Sequence, residues 1–318
     1  MASPDSTSAP AGNRAFLDAL LVCPRCKGEL DLAPSGSSRC TRCGEAYPAG
    51  PNGQPDLRLT APLELALPTV YDPRQLVIPE EMWRLPARVE SRLTEASSLR
   101  GRPQQDLLAW MLDSIAPGAL VLDVGSKSNR DMRLVEGLGA RYVALEIHAP
   151  DAMVLGDAHA IPLRDHSVDV VLCMSVFEHL KNPFLAAQEI RRILKPGGRL
   201  IGIVGFIEAV HGLPHGSYLH HSYLGIHTVL STSGFEMQYL HPGWHAIHSI
   251  ARAILPGVPK RVANAMAWPV FKLHSFLYLL YGIKSGNRAA AQAQKLRVLA
   301  AGVHFVAVNP LVPLAQGT

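Results

Sequence analysis

Short apolar runs bounded by turn residues dominate the middle of the chain. Residues 119–125 read ALVLDVG, residues 142–145 read YVAL and residues 168–174 read VDVVLCM. Runs of this kind are typical of strands buried on both faces of a parallel sheet. The first run ends at Gly125, where a tight turn would let the backbone approach a ligand closely. We therefore predict buried strands over these three segments.

Helical periodicity alternates with these runs. Residues 183–195 open with proline at a first helical turn and place apolar side chains on one face, namely Ala186, Ile190, Ile193 and Leu194. Pro196-Gly197-Gly198 should end that helix, and a strand should follow over 199–204. A second amphipathic pattern over 104–115 predicts a helix packed on the sheet. This order predicts an α/β fold with a doubly wound, Rossmann-like, mostly parallel sheet.

Acidic residues follow the predicted strands. Glu146 ends the second run, 21 residues beyond Gly125, and Asp157 follows Gly156. A similar spacing places a carboxylate on ribose hydroxyls in dinucleotide-binding folds. Because ligands bind at the carboxyl ends of parallel strands, these carboxylates are candidates for nucleoside binding.

The ordered set of motifs carries a family resemblance. VLDVG at 121–125, Glu146, GDAHAIPLRDHSVDVVL at 156–172, SVFEHL at 175–180 and LKPGGRL at 194–200 together resemble a class I S-adenosylmethionine-dependent methyltransferase of the small-molecule type. The resemblance implies S-adenosylmethionine as cofactor. It places Asp123, Gly125 and Ser126 near the methionine part, Glu146 on the ribose, Asp157 and Ala158 beside the adenine, and Ser175 near the sulfonium.

The first glycine turn departs from the family pattern. The family usually continues this turn with further glycines, whereas residues 125–129 read GSKSN, with Lys127 in a glycine position. A lysine near the cofactor carboxylate would help binding, and one near the sulfonium would repel it. Cofactor binding is the favoured hypothesis, and a disabled pocket is the alternative.

Four cysteines near the N-terminus form the second strong signal. Cys23 and Cys26 make one CxxC pair, and Cys40 and Cys43 make another after 13 intervening residues. Two such pairs can close a tetrahedral, structural zinc site. Two disulfides are the alternative, but the polar start shows no secretory signal, which favours zinc and a cytoplasmic location. The flanking residues resemble a small zinc ribbon found as an activator or appended domain of methyltransferases. The fifth cysteine, Cys173, is interpreted as a core residue.

Composition and proline content suggest a domain organisation for the 318 residues. We expect a disordered N-terminus over 1–15, a zinc ribbon over 16–60 and a proline-punctuated linker or lid over 61–102. The methyltransferase domain should occupy 103–318, with a helical insertion at about 245–300. The net charge of +4 looks spread, without a basic tract interleaved with aromatics, so nucleic acid is disfavoured as a partner.

A histidine-rich segment follows the predicted strand at 199–204. The sequence HGLPHGSYLHHS contains His211, His215, His220 and His221. Histidine suits general-base work because its pKa lies near neutrality. His211 and His215 are the preferred candidates for taking a proton from the acceptor, and structural hydrogen bonding or simple exposure is the alternative for each. His211-Gly-Leu-Pro also resembles a His-Gly-x-Pro loop common in the family.

The C-terminal part contains a largely apolar segment over 262–283. Its length nearly suffices to span a bilayer, but Pro269, Lys272 and His274 interrupt it and disfavour a transmembrane helix. An inserted helical cap is the preferred interpretation, and peripheral contact with a membrane or with an apolar substrate is the alternative. Residues 303–308 predict a final strand.

The sequence favours an enzyme that transfers a methyl group from S-adenosylmethionine to a small-molecule acceptor. Oxygen is favoured as the methylated atom, within natural-product, lipid or glycan metabolism. One alternative is a zinc-ribbon RNA methyltransferase, disfavoured because basic clustering is weak and the Asn- or Asp-Pro-Pro-aromatic motif is missing. Another is a noncatalytic binding protein with a pocket disabled by Lys127. The oligomeric state and the acceptor stay open.

Overall fold

The computed structural model describes a defined part of the chain. The described residues are 11–63, 82, 88, 105–127, 129, 131–211, 216–243, 245–255, 257–288, 291, 294, 295 and 298–311. Most of the expected disordered start, most of the linker and His215 lie outside them.

A seven-stranded, mostly parallel sheet forms the centre of the molecule. Its strands are β4 (Leu120–Val124), β5 (Arg141–Glu146), β6 (Val154–Leu155), β7 (Val168–Met174), β8 (Leu194–Gly205), β9 (Glu236–Pro242) and β10 (Gly302–Val308), in the order β6-β5-β4-β7-β8-β10-β9. Only β10 runs antiparallel to its neighbours β8 and β9. The predicted α/β fold and the strand predicted over 303–308 are confirmed.

Helices connect and cover these strands. They are α1 (Ala11–Leu20), α2 (Gln105–Ser114), α3 (Met132–Gly137), α4 (Pro183–Ile193), α5 (Tyr223–Thr232), α6 (Ile247–Ile254) and α7 (Lys260–Lys284). The Asn182 side chain caps α4 by accepting a hydrogen bond from the Leu185 amide at 3.1 Å, and Pro183 occupies the first turn. Strand β8 begins at Leu194, earlier than predicted, because Leu194 pairs with Val168 across the sheet.

Alternating side chains of the strands divide the core into two layers. Val121 and Val170 face the layer formed with α2 and α3, whereas Leu122 and Val171 face the layer formed with α4 and α5. Cys173 is fully buried in the second layer, as expected for a core residue. Both faces of the sheet are therefore covered, which explains why its strands read as continuous apolar runs.

A half-buried carboxylate ties α2 to the antiparallel edge of the sheet. Asp106 accepts hydrogen bonds from the Tyr239 hydroxyl at 2.8 Å and from His304 Nδ1 at 2.5 Å. Burial opposes ionisation of Asp106, but the hydrogen bond and charge of His304 outweigh it and lower the pKa of Asp106 below its usual value. One side chain thus links a helix to β9 and β10.

The N-terminal residues form a small antiparallel sheet that packs against the large domain. Its strands are β1 (Leu30–Leu32), β2 (Ser38–Cys40) and β3 (Ala46–Tyr47), in that order. Lys27 pairs with Glu189 of α4 at 2.7 Å, and Arg164 forms a bidentate pair with Glu29. Since ribbon residues such as Tyr47 share a buried cluster with the sheet, the ribbon and the large domain have a common core.

The chain leaving the ribbon extends the sheet beyond β6. Leu57 donates its amide hydrogen to the Leu155 carbonyl at 2.8 Å, and Leu155 donates to the Pro55 carbonyl at 3.0 Å. Arg58 then donates from Nη1 to the Ile147 carbonyl at 3.0 Å. We call residues 55–58 the edge strap. The strap thus contacts Ile147, which directly follows Glu146 at the end of β5.

The C-terminal helices α6 and α7 form an insertion between β9 and β10. Pro242 at the end of β9 and Val204 near the end of β8 both pair with Val303 at the start of β10. The insertion therefore leaves the sheet at the carboxyl ends of its parallel strands.

Candidate functional site

A cavity of about 620 Å³ opens at the carboxyl ends of β4, β5 and β7. This is the edge at which open α/β sheets bind ligands. Its wall includes Gly125, Lys127, Glu146, Ile147, Asp157, Ala158, His159, Ser175, Val176, His179, Lys181, Asn182 and Tyr218. Five of the seven predicted cofactor-binding residues thus line one cavity: Gly125, Glu146, Asp157, Ala158 and Ser175.

The turn after β4 requires glycine at its first position. Gly125 has φ +71°, and a Cβ built on it would lie 2.6 Å from Val176 Cγ2. Side chains are rarely accommodated at such a φ, and this one would also enter the cavity wall. The Gly125 amide donates to the Leu145 carbonyl at 2.9 Å, which holds the turn against β5.

The rest of this turn keeps a glycine-like shape without glycine. Lys127 and Asn129 have φ values of 37° and 54°, in the left-handed region. Lys127 is exposed while contributing to the cavity wall, so its long side chain has access to solvent. Lys127 stands where the family usually has glycine, and the backbone keeps the left-handed bend at this position.

Glu146 ends β5 in the cavity wall. Its Oε1 accepts a hydrogen bond from the Ile147 amide at 2.8 Å, which orients the carboxylate. The edge strap holds the same peptide segment from outside, through Arg58 and the Ile147 carbonyl. A carboxylate fixed in this way can accept hydrogen bonds from a pair of vicinal hydroxyls.

Asp157 is held by a neighbour that the sequence did not single out. His159 lies 2.6 Å from Asp157 Oδ1 through Nδ1, and its amide donates to the same oxygen at 2.9 Å. The Asn182 amide donates to His159 Nε2 at 3.2 Å, so Nδ1 carries the ring hydrogen. Burial opposes ionisation of Asp157, but the hydrogen bonds from His159 outweigh it and lower the pKa of Asp157.

Some predicted site residues do not reach the cavity wall. Asp123 is buried and accepts a hydrogen bond from the Tyr142 hydroxyl at 2.6 Å, and Ser126 is buried beside the turn. His211 is half-buried behind His179 and is not part of the wall, and His215 lies outside the described residues. The assigned contacts of these four residues stay predictions.

Glu178 is the main site residue that sequence reasoning missed. It is fully buried, and neither side-chain oxygen has a hydrogen-bond partner within the residues that the structure describes. Burial raises the pKa of Glu178 to about 7, and the charge of Glu208 adds to this, while backbone amides and His211 act in the opposite direction. A carboxyl group titrating near neutrality is suited to proton transfer.

Two histidines accompany this carboxyl group. One carboxylate oxygen of Glu178 and one ring nitrogen each of His179 and His211 lie within 4.8 Å of one another. The two imidazole rings meet edge to face, with 4.9 Å between their centres. His179 Nδ1 lies 2.8 Å from the Gly216 carbonyl, and His211 Nδ1 lies 3.1 Å from the Ala209 carbonyl. Since the carbonyls take the Nδ1 hydrogens, Nε2 of each ring is the nitrogen left to accept a proton.

One feature of the sequence could have indicated a functional role for Glu178. An acid flanked by Phe177 and His179 directly after β7 stands where catalytic groups of α/β folds lie. The surroundings of the Glu178 side chain include Gly205 and Glu208. These residues lie far from Glu178 in the sequence, so the sequence around Glu178 does not predict its burial.

The four N-terminal cysteines meet in one cluster. Their sulfur atoms lie within 4.8 Å of one another, with 3.8 Å between Cys23 and Cys43 and 3.5 Å between Cys26 and Cys40. Four sulfurs at about 2.3 Å from a tetrahedral zinc ion would be separated by about 3.8 Å, whereas a disulfide bond is about 2 Å long. The cluster therefore fits zinc.

Hydrogen bonds to the sulfurs support the same assignment. The Arg42 and Cys43 amides donate to Cys40 Sγ at 3.4 and 3.5 Å, and Tyr47 Oη lies 3.1 Å from Cys23 Sγ. Donors around sulfur stabilise the thiolate form, which is the form that binds metal.

Comparison with known proteins agrees with this geometry. Residues 122–202 match the family described as "Methyltransferase domain". An uncharacterized methyltransferase of Mycobacterium tuberculosis is 38% identical over 114 residues, which cover 32% of this chain and 46% of that protein. One of Mycobacterium leprae is 32% identical over 107 residues, covering 29% of this chain and 40% of that protein. The chain thus spans less than half the length of these curated relatives.

Among solved structures, the chain is similar to Haemonchus contortus phosphoethanolamine N-methyltransferase 2 in complex with S-adenosyl-L-methionine. The identity is 17% and the TM-score 0.41, and the match covers 64% of this chain and 52% of the other. The matched segment 122–202 contains β5 to β7 and most of β4 and β8, and therefore most of the parallel sheet that builds the cavity. Over residues 122–202 the chain therefore contains a methyltransferase domain, and a four-cysteine cluster lies near its N-terminus.

Proposed function

We propose that the protein transfers a methyl group from S-adenosylmethionine to a hydroxyl oxygen of a small-molecule acceptor. The observation that carries this proposal is a single cavity with nucleoside-binding features at one part of its wall and His179, backed by the Glu178 cluster, at another. When bound, the cofactor supplies an electrophilic methyl group on a sulfonium.

The cofactor side of the cavity is assigned to five residues. The Gly125 turn places backbone in the cavity wall, and Glu146 holds the ribose hydroxyls. Asp157, oriented by His159, accepts from the adenine amino group beside Ala158. Ser175, with φ 61° at the end of β7, lies at the turn nearest the reacting group.

The acceptor side is assigned to the segment after β7 and the loop after β8. His179, Lys181 and Tyr218 line the wall there, and Lys181 Nζ lies 5.5 Å from the centre of the Tyr218 ring. The Glu178 carbonyl accepts from the Tyr218 amide at 2.7 Å, which fastens the loop to the strand end. These contacts fasten the acceptor side of the cavity to the segment that carries Glu178 and His179.

Proton removal favours oxygen as the methylated atom. A hydroxyl is a weak nucleophile and needs a base, whereas an unprotonated amine attacks without one. Glu178, whose pKa lies at about 7, is close to His179 and His211 and can take up a proton near neutral pH, which adds a carboxyl group to the histidines expected as bases. His215 remains a candidate beside them.

Zinc is proposed as the ion in the cysteine cluster, with a structural role. All four ligands are supplied by the protein, which leaves no open position for a substrate. Its contribution to the site is indirect, through the edge strap that follows the ribbon.

The direct test is formation of S-adenosylhomocysteine from S-adenosylmethionine in the presence of a panel of hydroxylated and aminated acceptors. We expect turnover with hydroxyl acceptors, and loss of turnover in Glu178→Gln with cofactor affinity unchanged. Absence of turnover across the panel together with absence of cofactor binding would favour the noncatalytic alternative.

A further inference from the structure

Helix α7 presents an apolar face to solvent. Leu273 is 58% exposed, Phe276 53% and Leu280 46%. Large apolar side chains exposed together on one element mark an interaction site, whereas single ones scattered over a surface do not. The 25 residues of α7 extend over about 37 Å at 1.5 Å per residue, so this face is long as well as apolar.

Helical spacing places these side chains on one stripe. Steps of three, four or seven residues, which all return to the same side of a helix, connect the residues that we call the outer stripe: Val262, Met266, Leu273, Phe276, Leu277 and Leu280. The opposite side packs inward through Ala263, Ala267 and Gly282, which are buried. The inner side also carries Phe271 and Tyr278, which are half-buried, whereas the large apolar residues of the outer stripe face solvent.

Helix α6 adds to this surface. Ile254 at its end is 69% exposed. His245, just before α6, contacts His274 of α7 through Nε2 and Nδ1 at 3.1 Å and packs edge to face on Phe271. The two helices thus form one packed unit beside the sheet.

Net positive charge is concentrated in the same part of the chain because acidic residues are missing there, contrary to the expectation of a spread distribution. Residues 237–318 contain eight basic residues and no aspartate or glutamate: Arg252, Lys260, Arg261, Lys272, Lys284, Arg288, Lys295 and Arg297. The chain as a whole has a net charge of +4, so the preceding residues carry a net negative charge.

Aromatic and basic side chains meet at the border of the outer stripe. Trp268 is exposed, and Lys272 Nζ lies 5.1 Å from the centre of its ring. Tryptophan and lysine together are enriched where a protein meets the headgroup region of a bilayer.

We propose that α6 and α7 dock on an anionic phospholipid surface, with the outer stripe in the headgroup boundary and the basic residues against lipid phosphates. Within the described residues, no helix combines the length and apolar character needed to cross a bilayer. An apolar face bordered by cations is the pattern of a helix lying in the membrane plane.

Charge decides between this partner and a second copy of the chain. Two such surfaces facing each other would bring like charges together, which costs free energy, whereas an anionic bilayer neutralises them. A nucleic acid would engage the cations but leave the outer stripe in water. The anionic bilayer alone satisfies both the apolar and the basic residues.

The insertion and the cavity belong to the same edge of the sheet. The insertion leaves the sheet beside Pro242 and Gly302, at the same edge at which the cavity opens. Docking goes beyond the proposed methyl transfer and does not require it.

Cosedimentation of the full-length protein with vesicles tests the proposal. Phosphatidylcholine vesicles are compared with vesicles that also contain phosphatidylglycerol, without cofactor or acceptor. We expect binding to the anionic vesicles, weakened by salt, and at least about tenfold weaker in Leu273→Gln/Phe276→Gln. Lys272→Gln/Lys284→Gln should weaken binding to anionic vesicles only.

Leu224→Gln/Leu311→Gln is the matched control, since both leucines are exposed outside the outer stripe. Its affinity should equal that of the wild type. Absence of binding to anionic vesicles, or equal binding by the stripe variant, would overturn the proposal. Self-association that the stripe variant abolishes, without vesicle binding, would assign the surface to a second copy instead.

Discussion

At the scale of single residues, the site depends on a buried acid without a partner. An unpaired carboxyl group in a fold of marginal stability costs free energy, and such groups concentrate where chemistry needs them. Glu178 is held in this state by burial, while Glu208 disfavours its ionised form and His211 favours it. Its protonation should therefore control the reaction near neutral pH.

We expect kcat/KM to rise with pH through an inflection near 7, because Glu178 must lose its proton to act as a base. Glu178→Gln should lower kcat by about 10² to 10⁴-fold and remove the inflection. Glu208→Gln is the control: removing its charge should lower the pKa of Glu178 and shift the inflection to lower pH. An unchanged profile in both variants would contradict the assignment, and steady-state kinetics across pH measure it.

The first turn offers a matched pair of substitutions. Gly125→Ala introduces a Cβ at φ +71° and against Val176, so S-adenosylmethionine affinity and stability should both fall, the latter by about 1–3 kcal/mol. Lys127→Gly should preserve or improve both, because glycine relaxes the left-handed φ of 37°. Equal affinities in the two variants, measured by calorimetry, would refute this description of the turn.

At the scale of elements, the ribbon and the sheet act as one unit. The cysteine cluster proposed to hold zinc lies in the ribbon, the ribbon ends in the edge strap, and the strap pairs with β6 and reaches the Ile147 carbonyl beside Glu146. We therefore expect a structural ion at one end of this series of contacts to support Glu146, the carboxylate proposed to bind the ribose, at the other.

Arg58→Ala should weaken S-adenosylmethionine binding by about fivefold, equivalent to about 1 kcal/mol, because the Ile147 carbonyl loses its charged donor. Removal of zinc with a chelator should have a larger effect and also lower the melting temperature. Arg39→Ala is the matched control, since Arg39 donates to Gly44 inside the ribbon. Wild-type affinity after zinc removal would show that the ribbon is independent of the site.

At the scale of the whole molecule, stability depends on contacts between elements distant in the sequence. Asp106 connects α2 to β9 and β10, which lie more than 130 residues further along the chain. The pKa of Asp106 is lowered in the fold, so its contribution is present at neutral pH and is lost as pH falls through the folded value.

Asp106→Asn should lower the free energy of unfolding by about 2 kcal/mol at pH 7, since the buried Tyr239 and His304 lose an ionised acceptor. The difference from the wild type should begin to shrink as pH falls below about 3.9, the ordinary aspartate pKa, and should be lost below the lowered pKa of folded Asp106. Asp165→Asn, at an exposed ion pair with Arg192, should change stability by less than about 1 kcal/mol. Urea unfolding at several pH values measures all three.

The elements and half of the site could be predicted because their signals are local. Val168–Met174 forms the predicted strand, and Glu146 and Asp157 lie in the cavity wall because strand ends meet at one edge. The edge strap, the orientation of His159 and the burial of Glu178 escaped prediction, since each depends on packing between distant segments. The outer stripe was ambiguous because apolar periodicity does not reveal which face meets the protein.

The central claim is that the cavity binds S-adenosylmethionine, and isothermal titration calorimetry of zinc-loaded protein tests it most directly. We predict binding of one cofactor per chain, weakened at least about tenfold by Glu146→Ala, equivalent to about 1.4 kcal/mol, because the ribose hydroxyls lose their acceptor. No heat of binding from the folded wild-type protein, or full affinity in the variant, would contradict the account.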